Sequence, residues 1–149
     1  MRAVVQRTRS SSVTSNGVET GRIGPGLTVL LGIAADDTEQ DVQYMADKIT
    51  HLRIFEDEQD KMNCSLLDVG GDMLVISQFT LYGDARHGRR PSFTQAAPPA
   101  MAEPLYERFV QAVEKQGIHV GTGRFRTEMV VTLENHGPVT ILVDSKKEF

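Results

Sequence analysis

The first candidate for chemistry is a polar segment that follows an apolar stretch in the middle of the chain. After residues 73–76 come Ser77, Gln78, Phe79 and Thr80, which supply two hydroxyls and a carboxamide. Polar groups at the end of a strand can be aimed into a cleft, where backbone N–H groups are also free to bind a ligand. The alternative is an ordinary strand, with Gln78 and Thr80 on one face and Phe79 on the other, and the alternation alone favours it.

The second candidate is residues 135–140, with the sequence Asn-His-Gly-Pro-Val-Thr, between two apolar stretches near the C-terminus. A Gly-Pro pair between strands most often only makes a turn, and the residues alone favour that interpretation. A proline can also hold a cis peptide bond. The carbonyl oxygens of Gly137 and Pro138 would then be fixed in one geometry, which suits them to accept hydrogen bonds from an ammonium group.

Standard catalytic sets are missing from the sequence. It contains no G-x-S-x-G, no G-x-x-x-x-G-K-[ST], no H-E-x-x-H and no C-x-x-C. The four histidines are scattered without the spacing of metal ligands, so we expect no metal site and no cofactor. Thr80 as a nucleophile lacks a nearby histidine, lysine or free amine to activate it.

Arginines form three groups along the chain. Arg86, His87, Arg89 and Arg90 lie within five residues with no acid among them, and smaller groups occur at residues 2–9 and 124–126. Each group taken alone is typical of a solvated surface. The net charge of −4 argues against a general nucleic-acid coat protein. It remains compatible with an enzyme that binds only the end of an RNA.

Strands and two helices must position these segments. We predict strands at 3–8, 12–15, 18–23, 27–34, 52–56, from 73 into 81, 129–133 and 139–143, with a tight turn at Asn16-Gly17 and a short helical turn at 65–67. One helix is predicted at 38–51, from the spacing of Val42, Met45, Ala46 and Ile49. A second follows Pro98-Pro99 and ends before Gly117.

The length predicts one domain over residues 1–149. The order of the predicted elements indicates a mixed α/β layout, with two main helices packed on one side of curved sheets. Apolar residues make up 40% of the chain, but no run reaches the length of a membrane span. The N-terminal residues lack the apolar core of a signal peptide. The single cysteine, Cys64, is compatible with a reducing compartment, and we expect a cytoplasmic protein.

The two polar segments together resemble the hallmark motifs of the D-aminoacyl-tRNA deacylase family. The likeness runs nearly end to end, from residues 1–7 to 137–141. Shorter blocks are matched by Arg90-Pro91-Ser92-Phe93 and Gly123-Arg124-Phe125. After Phe125 the family usually has Gly-Ala and an acid, whereas this chain has Arg126-Thr127-Glu128, and Arg89 stands where asparagine is frequent. These departures bear on substrate preference more than on the reaction.

The resemblance implies a barrel-like, three-layer fold and a homodimer that hydrolyses the ester of D-aminoacyl-tRNA. It also implies that Gly137-Pro138 is a cis peptide inserted across the interface into the partner's active site. An L side chain would collide with this segment, whereas a D side chain would point to solvent, which is selection by steric exclusion. Glycine has no side chain to exclude, so glycyl-tRNA mischarged on tRNA-Ala is an expected second substrate.

The resemblance places the catalytic groups at Ser77, Gln78, Phe79 and Thr80. We expect the backbone N–H groups of Phe79 and Thr80 to polarise the ester carbonyl, and the terminal ribose 2′-OH to assist attack by water. Phe79 and Phe125 are candidates for stacking on the terminal adenine, with core packing as the alternative. Candidates for phosphate contacts are Arg7, Arg86, Arg89 and Arg90.

Two other functions are compatible with the sequence. One is a non-catalytic module that binds the aminoacylated tRNA end, which the missing catalytic triad favours. The other is a small-molecule esterase that uses Thr80. Turnover of the ester separates the enzyme from the binding module, and cleavage of free amino-acid esters without RNA would indicate the esterase.

Overall fold

A long first strand organises the sheet of this computed structural model, which describes residues 1–149. Strand β1 (Arg2–Ser15) pairs antiparallel with β2 (Val18–Ile23), β3 (Gly26–Gly32) and β8 (Met129–Asp144). The β1–β2 turn has positive φ at both Asn16 (51°) and Gly17 (78°), as a tight hairpin requires. This turn was predicted from the Asn-Gly pair and is confirmed.

The remaining elements extend this sheet and cover it. They are α1 (Glu39–Thr50), β4 (Phe55–Glu56), β5 (Met62–Cys64), α2 (Leu66–Val69), β6 (Asp72–Ser77), α3 (Pro99–Glu114) and β7 (Val120–Thr122). The strand order is β2-β1-β3-β6-β7, with β8 on the other side of β1, and β3, β6 and β7 run parallel. Strands β4 and β5 form a separate hairpin.

The main core lies between the sheet and the helices α1 and α3, which pack on each other. The predicted helical stripes point into it: Val42, Met45 and Ile49 on α1 and Phe109 on α3 are fully buried. A second cluster, Val13, Ile23, Leu74 and Ile76, fills the inside of the curved sheet. The predicted α/β class with a curved, barrel-like sheet is confirmed. No helix is long and apolar enough to cross a membrane.

Helix α1 begins with a capping box and ends close to its predicted limits. Thr38 is the N-cap, and its backbone N–H donates to the Asp41 carboxylate at 2.8 Å. Lys146 Nζ lies 3.1 Å from the same carboxylate. Burial alone would raise the pKa of Asp41, but hydrogen bonds from Ser145, Thr38 and Lys146 outweigh it and lower the pKa to about 2.

Several predicted strand limits were wrong. The stretches 3–8 and 12–15 form one strand whose pairing with β8 is interrupted by register shifts, and 129–133 and 139–143 likewise form one strand. The strand predicted at 52–56 contains only residues 55–56, and the strands β5 and β7 were not predicted. The strand predicted to run from 73 into 81 stops at Ser77, because residues 79–82 form a turn of 3-10 helix.

Candidate active site

A cavity of about 650 Å³ lies at the carboxyl ends of the parallel strands β3 and β6. Its walls are Ser77–Phe79 on one side, the turn around Phe125 and Arg126 on another, and the first turn of α3 with Phe93. Most of the lining is apolar, and Arg126 is the only charged residue among the lining side chains. An apolar cavity with few polar groups at the ends of parallel strands is typical of a ligand site.

The predicted catalytic segment forms the polar part of this wall. Ser77, Gln78 and Phe79 line the cavity, whereas Thr80 is exposed beside it. The Gln78 N–H donates to the Leu31 carbonyl at 2.8 Å, which joins the segment to β3. The Gln78 side-chain amide donates to Thr80 Oγ1. That hydrogen bond is the only one that the Thr80 hydroxyl makes within the chain, so no acid or base contacts it.

Two backbone donors are left free by the change from strand to 3-10 turn. The N–H groups of Phe79 and Thr80 have no hydrogen-bond partner in the chain, while the next N–H, that of Leu81, donates to the Gln78 carbonyl at 3.3 Å. Free N–H groups are expected in the first turn of any helix, because no preceding carbonyl faces them. The sequence pattern of alternating faces could not reveal these donors, because they depend on where the strand ends.

The aromatic residues divide between cavity and core. Phe79 is 55% exposed and contacts Phe93 edge-to-face at 5.2 Å between ring centroids, so the core-packing alternative for Phe79 is wrong. Phe125 lines the cavity and also packs on the core, at 6.0 Å from the ring of Tyr106. The Tyr106 hydroxyl donates to the Val75 carbonyl at 2.8 Å, which fixes the surface that supports Phe125.

The Gly137-Pro138 peptide is cis, and both residues are exposed. Neither residue lines the cavity of its own chain. The segment is held from both sides. Asn135 Nδ2 donates to the Arg7 carbonyl at 3.0 Å and to the Val139 carbonyl at 3.2 Å, and Arg7 Nε donates to the His136 carbonyl at 2.8 Å.

Arg7, expected at a phosphate-binding surface, lies instead beneath this segment. It is 4% exposed. Besides the bond to His136, its Nη1 donates to the Ile54 carbonyl at 2.8 Å and to the Glu56 carboxylate at 2.7 Å. These partners make Arg7 a positioning residue for residues 136–138, and we no longer place it among the phosphate contacts. The sequence could not indicate this, because Arg7 and His136 are far apart along the chain.

The loop that carries Arg86, Arg89 and Arg90 also carries Phe93 to the cavity. Arg86 is bound by Asp84, with Nη2 at 2.6 Å from the carboxylate, and this hydrogen bond lowers the pKa of Asp84 to about 2. Arg89 and Arg90 are exposed and form no ion pair. The arginine cluster therefore offers two free cations rather than three, on the loop that carries Phe93.

The sequence indicated six of the lining residues as candidates or departures from the family pattern but did not indicate several others. The missed residues include Phe93, Ala96, Pro99, Met129 and Val131. Most of these are small or apolar, and a single sequence gives no signal that separates them from core residues. Phe93 was named only as part of the block Arg90-Pro91-Ser92-Phe93 that resembles the family.

Comparison with known proteins assigns this chain to a class. The family model described as D-Tyr-tRNA(Tyr) deacylase matches residues 4–144. The D-aminoacyl-tRNA deacylase of Clostridioides difficile (strain 630) is 60% identical over 149 residues, the whole of both chains. That of Desulfatibacillum aliphaticivorans is 60% identical over 146 residues, covering 98% of this chain and 100% of its own.

A solved structure agrees with the sequence matches. The c-Myc DNA Unwinding Element Binding Protein superposes with a TM-score of 0.90 at 39% identity, over 97% of this chain and 98% of its own. The chain therefore belongs to the D-Tyr-tRNA(Tyr) deacylase family. The class of enzyme that the two motifs implied, a hydrolase acting on the ester of aminoacyl-tRNA, is confirmed.

Proposed function

We propose that this protein hydrolyses the ester bond of D-aminoacyl-tRNA, releasing the free D-amino acid and tRNA as a chirality-proofreading step of translation in the cytoplasm. Water adds to the ester carbonyl, and the terminal ribose oxygen leaves with a proton. The observation that carries the proposal is a pair of free N–H groups, at Phe79 on the wall of an apolar cavity and at the adjacent Thr80, in a chain of this family.

The proposed chemistry relies on backbone donors. Carbonyl oxygen gains negative charge when water attacks an ester, and fixed N–H groups in a water-poor site stabilise that charge. The N–H groups of Phe79 and Thr80 supply two such donors from one rigid turn. Gln78 lines the cavity and orients the Thr80 hydroxyl. With no base in contact with that hydroxyl, we assign proton transfer to the terminal ribose 2′-OH and not to a covalent Thr80 intermediate.

Chiral selection is proposed to act between two copies of the chain. Gly137 and Pro138 are exposed, held in place by Arg7 and Asn135, and absent from the cavity of their own chain. A homodimer would let Gly137 of the partner subunit and Pro138 of the partner subunit enter the cavity. Their carbonyls would hold the substrate ammonium, leaving room for a D side chain only. Glycine mischarged on tRNA-Ala would escape this steric exclusion because glycine has no side chain.

The surface around β8 supports such a dimer. This strand pairs only with β1, so its other edge carries free backbone groups along much of sixteen residues. Two of its apolar side chains, Val130 and Leu142, are 61% and 59% exposed. Apolar side chains on an unpaired strand edge favour an interface with a second chain.

The tRNA end is proposed to enter between aromatic and basic residues. The exposed ring of Phe79 and the ring of Phe125 offer faces for the terminal adenine, since unpaired bases stack on aromatic rings. Arg89 and Arg90 are free to contact phosphates of the acceptor end, and Arg86 contributes less because Asp84 neutralises it.

The experiment that tests this function is deacylation of matched D-tyrosyl-tRNA and L-tyrosyl-tRNA by the purified protein, with no added metal. We expect rapid loss of the D ester while the L ester persists. Protection of both esters would instead favour a non-catalytic module that binds the aminoacylated tRNA end. Equal loss of both would contradict steric exclusion by Gly137-Pro138, and cleavage of free D-tyrosine esters at the same rate would indicate a general esterase.

A further inference from the structure

Arg126 is an exposed, unpaired cation at the lining of the apolar cavity. It is the only charged residue in the lining. Arginines such as Arg2, Arg7 and Arg86 form ion pairs within 4 Å, whereas Arg126 forms neither an ion pair nor a side-chain hydrogen bond. A free guanidinium beside apolar walls is suited to an anionic ligand, because its donors fit paired oxygen atoms.

The backbone at Arg126 is held in an unfavourable conformation. Its φ is 60°, in the left-handed region that side chains other than glycine rarely adopt. The turn is fixed by Thr127, whose Oγ1 donates to the Arg124 carbonyl at 2.8 Å and accepts from Ser15 Oγ at 2.7 Å. A side chain is therefore kept at a position where glycine would be less strained, and its direction is set by this turn.

We propose that Arg126 binds the phosphate on the 5′ side of the terminal adenosine of the substrate tRNA. This inference rests on the proposed function. The preceding residue, Phe125, lines the cavity and is proposed to stack on the adenine. The 5′ phosphate belongs to the same terminal nucleotide whose ribose carries the ester. A cation next to the ring that binds the base therefore lies within reach of this phosphate. Ser77–Phe79, on another wall, remains free for the ester.

A carboxylate on the side chain of D-aspartate or D-glutamate is the other anion that the substrate could present. The phosphate fits the observations better for two reasons. Every aminoacyl-tRNA carries it, and steric exclusion sends the D side chain toward solvent rather than to the cavity wall. A comparison of D-tyrosyl esters with D-aspartyl esters distinguishes the phosphate from the side-chain carboxylate, because only the D-aspartyl ester carries that carboxylate.

The test compares adenosine with adenosine 5′-monophosphate, first as ligands and then as 3′-O-D-tyrosyl esters. We expect the wild-type protein to bind the monophosphate about 10-fold more tightly, as a charge-assisted contact at an exposed site provides. Arg126→Gln should abolish this preference and leave adenosine binding unchanged, and Arg126→Lys should restore part of it. Arg124→Gln is the matched control, because Arg124 lies on the same turn but outside the cavity lining.

Each outcome decides the proposal. Absence of a monophosphate preference in the wild-type protein, or a preference that survives Arg126→Gln, would overturn it. An Arg126→Gln effect confined to D-aspartyl esters and missing from D-tyrosyl esters would overturn it in favour of the side-chain carboxylate. Binding of adenosine and of adenosine 5′-monophosphate does not require turnover. Failure of the wild-type protein to hydrolyse D-tyrosyl-tRNA would therefore contradict the proposed function without deciding the role of Arg126.

Discussion

The Nε–H of Arg7 donates to the carbonyl oxygen of His136 at 2.8 Å, so a buried guanidinium on β1 is joined to the residue that precedes Gly137-Pro138. The same side chain also binds the Ile54 carbonyl and the Glu56 carboxylate. A segment proposed to exclude one enantiomer by contact must be rigid, and this hydrogen bond restrains it from below.

Arg7→Lys should lower the discrimination between D-tyrosyl-tRNA and L-tyrosyl-tRNA while the protein still folds. Lysine can keep the charge near Glu56 but cannot form the Nε contact with His136 together with the other two. Because a displacement on the order of 1 Å can change a rate roughly 100-fold, we expect the ratio of D-tyrosyl-tRNA to L-tyrosyl-tRNA hydrolysis to fall about 10-fold or more. Glu56→Gln is the control, since it leaves the His136 contact in place. An unchanged ratio in Arg7→Lys would show that the segment needs no such restraint.

Gly137→Ala should disrupt the same segment from within. A Cβ at this position would collide with the backbone nitrogen of Val139 and lie 3.1 Å from Asn135 Oδ1. The backbone cannot move aside freely, because Asn135 binds the chain on both flanks. We expect loss of discrimination with a small decrease in thermal stability. Gly24→Ala is the matched control, because a Cβ there meets nothing within 4 Å at an ordinary φ. Normal discrimination in Gly137→Ala would contradict the proposed role.

Phe79→Ala should weaken substrate binding while leaving the stability of the fold nearly unchanged. The Phe79 ring is 55% exposed, so its removal should change the free energy of unfolding little. Stacking of a base on an aromatic ring contributes about 1–3 kcal/mol, and KM for D-tyrosyl-tRNA should rise accordingly. Phe109→Ala provides the contrast. That ring is fully buried, and its loss should destabilise the fold by about 3–5 kcal/mol. A Phe79→Ala protein with normal KM would show that the adenine binds elsewhere.

These predictions depend on features that the sequence revealed to different degrees. The helices were predictable because Val42, Met45 and Ile49 repeat at helical spacing and all point to one core. The end of β6 at Ser77 was not, since a strand and a 3-10 turn suit the same residues and pairing with β3 decides between them. The Arg7–His136 contact was equally hidden, because it depends on the register of β1 against β8. Physical patterns fix local structure, whereas the site arises from contacts between distant segments.

The lowered pKa of Asp41 predicts how stability depends on pH. The folded pKa, about 2, lies below the ordinary 3.8, so the contribution of this carboxylate is fully present above about pH 4 and is lost as pH falls toward 2. A shift of this size corresponds to a stabilisation on the order of 2 kcal/mol at pH 7. Asp41→Asn should therefore be less stable than the wild-type protein at pH 7, with the difference shrinking between pH 4 and pH 2. Urea unfolding of both proteins across this range measures it. Gln43→Ala is the control, because Gln43 is exposed on the same helix and bonds only to Glu39. A difference that stayed constant down to pH 2 would mean that Asp41 acts through packing rather than through its charge.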